Sequence, residues 1–436
     1  MKILLLWPPH IPSYFNAGHH LPLFQVAQYI RKNKTGIEVV AIDAGVLNYN
    51  WKEIADILSR EQFDFIGIMN DFDAIDGFSR IVRYIRVLSE KSKIITFGRL
   101  SKQIPDFFTN YDIDAIATDG DYEISIIEFI KYLEDSQYLP KGVMYKNDIA
   151  TWVQGCEGYY LDATKWEFPD LSEIPYLAYD KLYENDQNRF CGIPNRRELV
   201  VNVSRGCPVG CSFCDVPIMQ GKKDRRLAPD VLVEYIEDTF NKYPFEYVSF
   251  YSPTFTLNRN WTLKFCKLLT EKEKKYSWKC VTTVQHLDQE LLKAMKESGC
   301  IRVSIGVETL SELDLETLPK IKQSNKDKII AIMESCNVLD IELNCFVMLG
   351  IPGDSVEEIN RTIDFLNGYN VRVRPTIFTP YNLLKADMST EEVSMFNRQL
   401  FTDNFIEKED EKELYKIFFN KNYRMTEVYE NIDKRK

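Results

Sequence analysis

Cys207, Cys211 and Cys214 stand at C-x3-C-x2-C in the stretch Ser204-Arg205-Gly206-Cys207-Pro208-Val209-Gly210-Cys211-Ser212-Phe213-Cys214. Thiolates are soft ligands suited to zinc and to iron–sulfur clusters. A structural zinc ion takes four protein ligands in a tetrahedron, and an electron-transfer cluster of four irons takes four cysteines. Three thiolates on one short loop can instead hold three irons of a [4Fe-4S] cluster and leave the fourth iron open to chemistry. A zinc loop, or three cysteines merely close in sequence, are the alternatives that spacing alone leaves open. The remaining cysteines (Cys156, Cys191, Cys266, Cys280, Cys300, Cys336 and Cys345) are scattered, mostly in apolar segments. There a free cysteine behaves as a small hydrophobe, so one metal centre is expected.

The elements that must position this loop are legible as alternating strand and helix periods. The run Glu198-Leu199-Val200-Val201-Asn202-Val203 before it predicts a strand. From there, strand candidates at 199–203, 247–251, 278–282, 301–305, 343–349 and 376–379 alternate with helix candidates at 229–243, 261–274, 288–298, 310–318, 326–337 and 355–367. Such a series predicts a partial (β/α)6 barrel, an open relative of the closed eight-fold barrel, with its site at the carboxyl ends of the strands. An earlier series has strands at 2–7, 37–41, 65–69, 92–97 and 115–118, with helices at 21–32, 51–60, 78–90, 104–110 and 122–134. Parallel strands need crossover helices, so this series predicts a doubly wound parallel sheet. Its ligand edge would lie beyond the same strand ends, at Trp7 to His10, 43–45, 70–73, 98–101 and 119–121. The expected organisation is therefore α/β throughout: a first domain at 1–135, a linker at 136–197, the barrel at 198–388 and a mainly helical extension at 389–436. The linker shows turn chemistry and no clear period. The extension could cap the barrel or form an oligomer contact.

Composition narrows the function classes. The 436 residues carry 54 Lys+Arg against 65 Asp+Glu, a formal net charge of −11. That balance speaks against a broad nucleic-acid footprint, which needs a basic face to release counterions. A local basic patch is best sought at Lys222-Lys223-Asp224-Arg225-Arg226, whose plainer reading is a solvated loop. No apolar run is long enough for a membrane span, and the opening apolar run is too short for a signal peptide. A cytoplasmic protein with reduced thiols is expected.

The ordered motifs resemble the radical S-adenosylmethionine (radical SAM) superfamily, and more narrowly those members whose first domain looks like a cobalamin-binding domain. The resemblance is carried by the cysteine loop with Phe213 and by the opening Leu4-Leu5-Leu6-Trp7-Pro8-Pro9. It extends over Asp119-Gly120-Asp121-Tyr122-Glu123, Gly221 to Arg226, Gly306-Val307-Glu308 and Gly350-Ile351-Pro352-Gly353-Asp354-Ser355. It implies that Cys207, Cys211 and Cys214 hold the cluster and that the open iron chelates S-adenosylmethionine. Where the family often has a glycine-rich turn after the second barrel strand, this chain has Tyr251-Ser252-Pro253-Thr254, so Ser252 and Thr254 are the candidate oxygens. Glu308 is the candidate acceptor for the ribose hydroxyls or amino group. Gly350 and Gly353 would let the backbone turn beside the adenine, and Asp354 or Ser355 would cap the next helix.

For the first domain the resemblance implies cobalamin, held base-off, because the usual Asp-x-His-x-x-Gly pattern is absent. The histidines His10, His19, His20 and His286 include no member of that pattern. Phe97-Gly98-Arg99 replaces the family's glycine pair, and Arg99 could crowd the groove for the nucleotide tail. The implied activity is methyl transfer to an unactivated carbon of a small molecule or peptide, with a reductant such as flavodoxin or ferredoxin. The alternatives are a cobalamin-independent radical rearrangement, epimerisation, decarboxylation or cyclisation, and a non-catalytic metal-binding module. A tRNA-modifying enzyme is disfavoured by the charge and by the lack of a second cysteine cluster. No spacing singles out an acid–base residue.

Overall fold

The computed structural model describes residues 1–9, 19–182, 193, 196–311, 318–319, 322, 326–400 and 408–422. In the first sheet β1 (Lys2–Trp7), β2 (Glu38–Asp43), β3 (Phe65–Asn70), β4 (Lys93–Gly98) and β5 (Ala115–Ala117) run parallel. The antiparallel strands β6 (Val143–Lys146) and β7 (Trp152–Gln154) complete the order β2-β1-β3-β4-β5-β6-β7. The central strands β1 and β3 are near-continuous apolar runs because both their faces are covered. Ile3, Leu5 and Trp7 face α1 (Leu21–Asn33) and α5 (Tyr122–Glu134), while Leu4 and Leu6 face α2 (Trp51–Arg60) and α3 (Phe78–Leu88). The short α4 (Arg99–Gln103) follows β4. α2 begins where Asn50 and Glu53 cap each other's backbone amides at 3.2 and 2.7 Å.

The second sheet consists of six parallel strands in the order β15-β14-β13-β12-β11-β8, with β8 and β15 as its edges. These are β8 (Glu198–Asn202), β11 (Tyr247–Tyr251), β12 (Trp278–Thr283), β13 (Cys300–Glu308), β14 (Glu342–Leu349) and β15 (Arg372–Ile377). Between β8 and β11 a two-residue ribbon, β9 (Ser204–Arg205) against β10 (Arg225–Arg226), closes the cysteine loop at its base. The crossovers are α8 (Pro229–Lys242), α9 (Arg259–Thr270), α10 (Gln289–Glu297), α11 (Lys326–Val338) and α12 (Val356–Asn367); α6 (Tyr176–Leu182) and the short α7 (Val216–Gln220) precede them. This is the open barrel the alternation predicts. The helix expected at 310–318 falls largely outside the described residues. Phe250, Phe255 and Trp278 pack under α9 against its own Phe265, with ring centroids 5.2 to 5.9 Å apart, near edge-to-face and offset geometries. The core on the Trp7 face of the first sheet is continuous with that of the barrel.

Two expectations need correction. The stretch read as a linker holds β6, β7 and α6, and β6 and β7 extend the first sheet beyond residue 135. Strands of four and three residues are too short to show a period, and β6 pairs with Ala115–Ala117, far back in sequence, while β7 pairs with β6. The helix expected at 104–110 is a shorter 3-10 turn, Pro105–Asn110, with Pro105 at its first position. The extension is partly docked on its own chain. α13 (Thr390–Met395) packs on the 3-10 turn Phe72–Gly77, with Phe396 stacked on Phe72 at 6.1 Å and Ser394 donating to Asp76 at 2.9 Å. The helix Lys408–Asn422 lies along β15, burying Leu414 and Phe418 against that sheet edge.

Candidate active site at the junction of the two sheets

The chain leaves β8, passes through β9 and enters the loop that carries the three cysteines. Gly206 has φ +86° and lies so close to the returning strand that a Cβ would stand 2.2 Å from the Lys223 carbonyl oxygen. Only glycine allows that approach, and it lets the Cys207 amide donate to the Gly221 carbonyl at 3.2 Å. The Cys214 amide donates to Cys211 at 3.2 Å, closing the turn that contains Phe213. All three thiols are half-buried. Burial raises the Cys211 thiol and pushes Cys214 up to about 12, so taking up a metal here releases protons. Among the described residues no three His, Cys, Asp or Glu side chains converge on one ion.

Around this loop the structure gathers the residues expected at the strand ends. Phe213 packs on a small apolar group made by Leu318, Met348, Ile351 and Phe378 at the ends of β14 and β15. Gly350 and Gly353, at φ +80° and +84°, turn the chain there. Ser355 caps α12 by accepting from the Glu358 amide at 3.2 Å. Asp354 is buried, and that burial raises its carboxyl although the Ser355 amide donates to Oδ1 at 2.9 Å and the Thr309 hydroxyl also bonds the group. Ser252 Oγ lies 2.5 Å from Ser204 Oγ, joining the ends of β8 and β11. Thr254 is buried, and its carbonyl accepts from Arg226 at 3.2 Å. Both positions thus brace the base of the cysteine loop.

Glu308 has φ +63°, a strained value for a residue other than glycine, and sits at a register shift between β13 and β14. Such a shift re-aims a side chain. The carboxylate folds back over Gly306, where a Cβ would meet its Oε1 at 2.2 Å. It is 5% exposed and pairs with Lys322 at 2.9 Å. Burial alone would lower the Lys322 ammonium, but Glu308, Cys211 and Cys214 together hold it above its ordinary value. Lys322 therefore stands in the field of the cysteine loop. It was not singled out from the sequence, where it occupies an unpatterned loop with no motif to mark it.

The motifs that seemed separate in sequence meet at the junction of the two sheets. Asp121 accepts from Arg225 at 2.6 and 3.1 Å, and Glu123 accepts from Arg205 at 2.8 and 3.2 Å. Trp166 lies against the Arg205 guanidinium at 4.6 Å. Lys102 donates to the Gly120 and Met219 carbonyls at 2.5 and 2.6 Å, with Tyr122 beneath it at 4.5 Å. Burial lowers its ammonium to about 8 despite Asp121, Asp119 and Glu123 nearby. In the basic stretch 222–226 the two arginines are engaged within the fold, while Lys222 and Lys223 are exposed. Arg225 is spent on Asp121, and Arg226 on Asp224 and on the carbonyls of Thr254 and Phe255. Arg99 does not simply narrow a groove. It reaches from the first domain to Asp215, the residue after Cys214, at 3.0 Å, with Asp71 at 3.5 Å. His20 gives Nδ1 to Asp43 at 2.6 Å and stacks on Trp7 at 3.5 Å, while the Tyr179 hydroxyl of α6 also donates to Asp43. His19 stacks on Tyr179, and His10 lies outside the described residues.

Residues 201–366 match the profile of the Radical SAM superfamily. The chain is 25% identical over 391 residues to an uncharacterized methyltransferase of Pyrococcus horikoshii, covering 87% of this chain and 81% of that protein. Among solved structures it is similar to the radical S-adenosylmethionine methyltransferase TsrM from Kitasatospora setae, with a TM-score of 0.70 at 13% identity over 88% of this chain and 75% of the other. It is also similar to OxsB, a cobalamin-dependent S-adenosylmethionine radical enzyme, with a TM-score of 0.66 at 19% identity over 84% and 52%. At such identities the structural likeness is one of fold, and it spans both sheets.

Proposed function

Residues 201–366 being a radical SAM domain, we propose that the chain is a methyltransferase that cleaves S-adenosylmethionine reductively and methylates an unactivated carbon of a small molecule or peptide with the help of cobalamin. The observation that carries the reading is the glycine-closed, three-thiol loop at the carboxyl ends of the barrel strands, facing a second α/β domain. A [4Fe-4S] cluster held by Cys207, Cys211 and Cys214 and reduced by a small electron carrier would supply the electron for cleavage of S-adenosylmethionine to methionine and a 5′-deoxyadenosyl radical, and cobalamin held by the first domain would supply methyl-carrier chemistry.

The residues fit the cluster and the cosubstrate. Cys207, Cys211 and Cys214 are the cluster ligands, and the Lys322 ammonium offsets their negative charge as thiolates. Phe213, Met348, Ile351 and Phe378 offer an apolar wall to the adenine. Glu308 is a buried acceptor for the amino group and hydroxyls, and Ser252 and Thr254 hold the rim beside it.

For cobalamin, Arg99 and Asp71 supply side chains of the right chemistry for the corrin amides and phosphate, and each keeps part of its surface exposed at the edge of the first sheet. Both are paired with each other, and Arg99 with Asp215, so seating the corrin means opening or flanking that bridge. A cobalamin-free radical enzyme is the second reading, and the Arg99 bridge is the observation that favours it.

The test is anaerobic reconstitution of protein expressed with ample cobalamin. Iron–sulfur absorbance, release of methionine and 5′-deoxyadenosine, and stoichiometric cobalt are expected. The triple variant Cys207→Ala, Cys211→Ala, Cys214→Ala should lose the first two. A full cluster in that variant refutes the ligand assignment, and protein that takes up no cobalt refutes cobalamin-dependent methyl transfer.

A further inference from the structure

The short helix that follows the cysteine loop is held at both ends by one turn of the first domain. α7 starts at Val216, directly after Cys214 and Asp215, and α4 packs against it. Arg99 Nε lies 3.0 Å from Asp215 Oδ2, and Gln103 Nε2 donates to the same oxygen at 3.3 Å. Toward the other end Lys102 donates to the Met219 carbonyl at 2.6 Å. α4 is in turn fixed to its own sheet. Gly98, at φ +144°, lies so close to β3 that a Cβ would stand 2.0 Å from the Asn70 carbonyl oxygen. Asn70 Oδ1 accepts the Leu100 and Ser101 amides at 2.9 and 3.1 Å, and Arg99 is thereby set beside Asp71, at 3.5 Å.

Asp215 places a carboxylate next to whatever Cys214 ligates. It is 9% exposed, and its Cα is about 3.8 Å from that of Cys214. A charge so close and so buried is little screened by salt. Among the described residues Arg99 is its one ion-pair partner. The potential of an iron–sulfur cluster follows the net charge around it. An uncompensated Asp215 would oppose the incoming electron, and the Arg99 guanidinium offsets that charge. Removing Arg99 also frees the charge of Asp71, which acts in the same direction.

We propose that Arg99 is a positioning residue for the cluster site: it holds and neutralises Asp215 beside Cys214, and so keeps the cluster within reach of its electron carrier. The first domain then sets the potential of the barrel's metal centre through one side chain. The proposal rests on Cys207, Cys211 and Cys214 being the ligands of a four-iron cluster.

Redox titration of the reconstituted full-length protein, followed by the electron paramagnetic resonance of the reduced cluster, tests it. Arg99→Gln should lower the potential and Asp215→Asn should raise it, each by about tenfold in the one-electron equilibrium, which is about 59 mV. Arg99→Lys keeps the charge and should stay within about threefold of the natural chain. Opposite signs separate charge from packing, because a merely loosened loop would move both single variants the same way. Asp215→Asn, nearly isosteric, carries the test by itself if Arg99→Gln takes up no iron. A potential in Asp215→Asn within about threefold of the natural one, or shifts of one sign in both single variants, overturns the proposal and leaves the cluster assignment standing. A natural chain that assembles no four-iron cluster overturns the cluster assignment, and this proposal with it.

Discussion

Replacing Asp121 by alanine measures how firmly the cysteine loop is held against the first sheet. Asp121 is 4% exposed and receives two hydrogen bonds from Arg225, at 2.6 and 3.1 Å, and one from the Leu161 amide at 2.9 Å. Removing one member of a buried charge pair leaves the other uncompensated and costs about 3–5 kcal/mol. Here Arg225 keeps the carbonyls of Leu161 and Gln220, and Arg205 keeps Glu123, so the lower figure of about 3 kcal/mol applies. A chain with two domains does not unfold in a single step, so a melting temperature would blur the effect. Hydrogen exchange reads it locally. A 3 kcal/mol drop in opening cost accelerates amide exchange roughly a hundredfold, and the rise should be confined to the stretches 157–162 and 204–226. Arg361→Ala, which removes exposed pairs with Glu357 and Glu358 on α12, is the control and should cost under about 0.5 kcal/mol. Exchange in Asp121→Ala within about threefold of the natural chain would refute the argument that this ion-paired junction positions the site.

Two further outcomes follow from the same geometry. Glu308→Gln keeps the size of the side chain but removes its charge, and it should weaken S-adenosylmethionine binding at least about tenfold in the reconstituted protein while leaving the cluster absorbance in place; calorimetry showing unchanged affinity would remove Glu308 from the cosubstrate site. Lys102 sets a pH dependence. Its folded pKa of about 8 lies below the roughly 10.4 of an unfolded lysine, so between these values the unfolded chain binds more protons and stability rises with pH. Lys102→Met should flatten that rise in the opening free energies read by hydrogen exchange around residues 99–122 from pH 8 to 10, and an unaltered slope would show that Lys102 does not titrate in this range.

Much of the architecture was written locally. The periods of Lys2–Trp7, Trp51–Arg60, Tyr122–Glu134 and Tyr247–Tyr251 matched the observed elements end to end, because apolar spacing and helix caps act within a few residues. The cysteine loop was legible for the same reason: its three thiols and the glycines that close it lie in one short stretch. What the sequence could not show is how that stretch is held. Asp121 meets Arg225 across 104 residues and Glu123 meets Arg205 across 82, so their pairing depends on how two separately formed sheets dock. Arg99 looked like an obstacle in a groove until the tertiary structure set Asp215 in front of it, and Lys322 carried no mark until the shift at Glu308 turned a carboxylate toward it. Periodicity and short spacing report the backbone's local choices. The ion pairs arise only when the ends of different strands are brought to one face, and that is a property of packing.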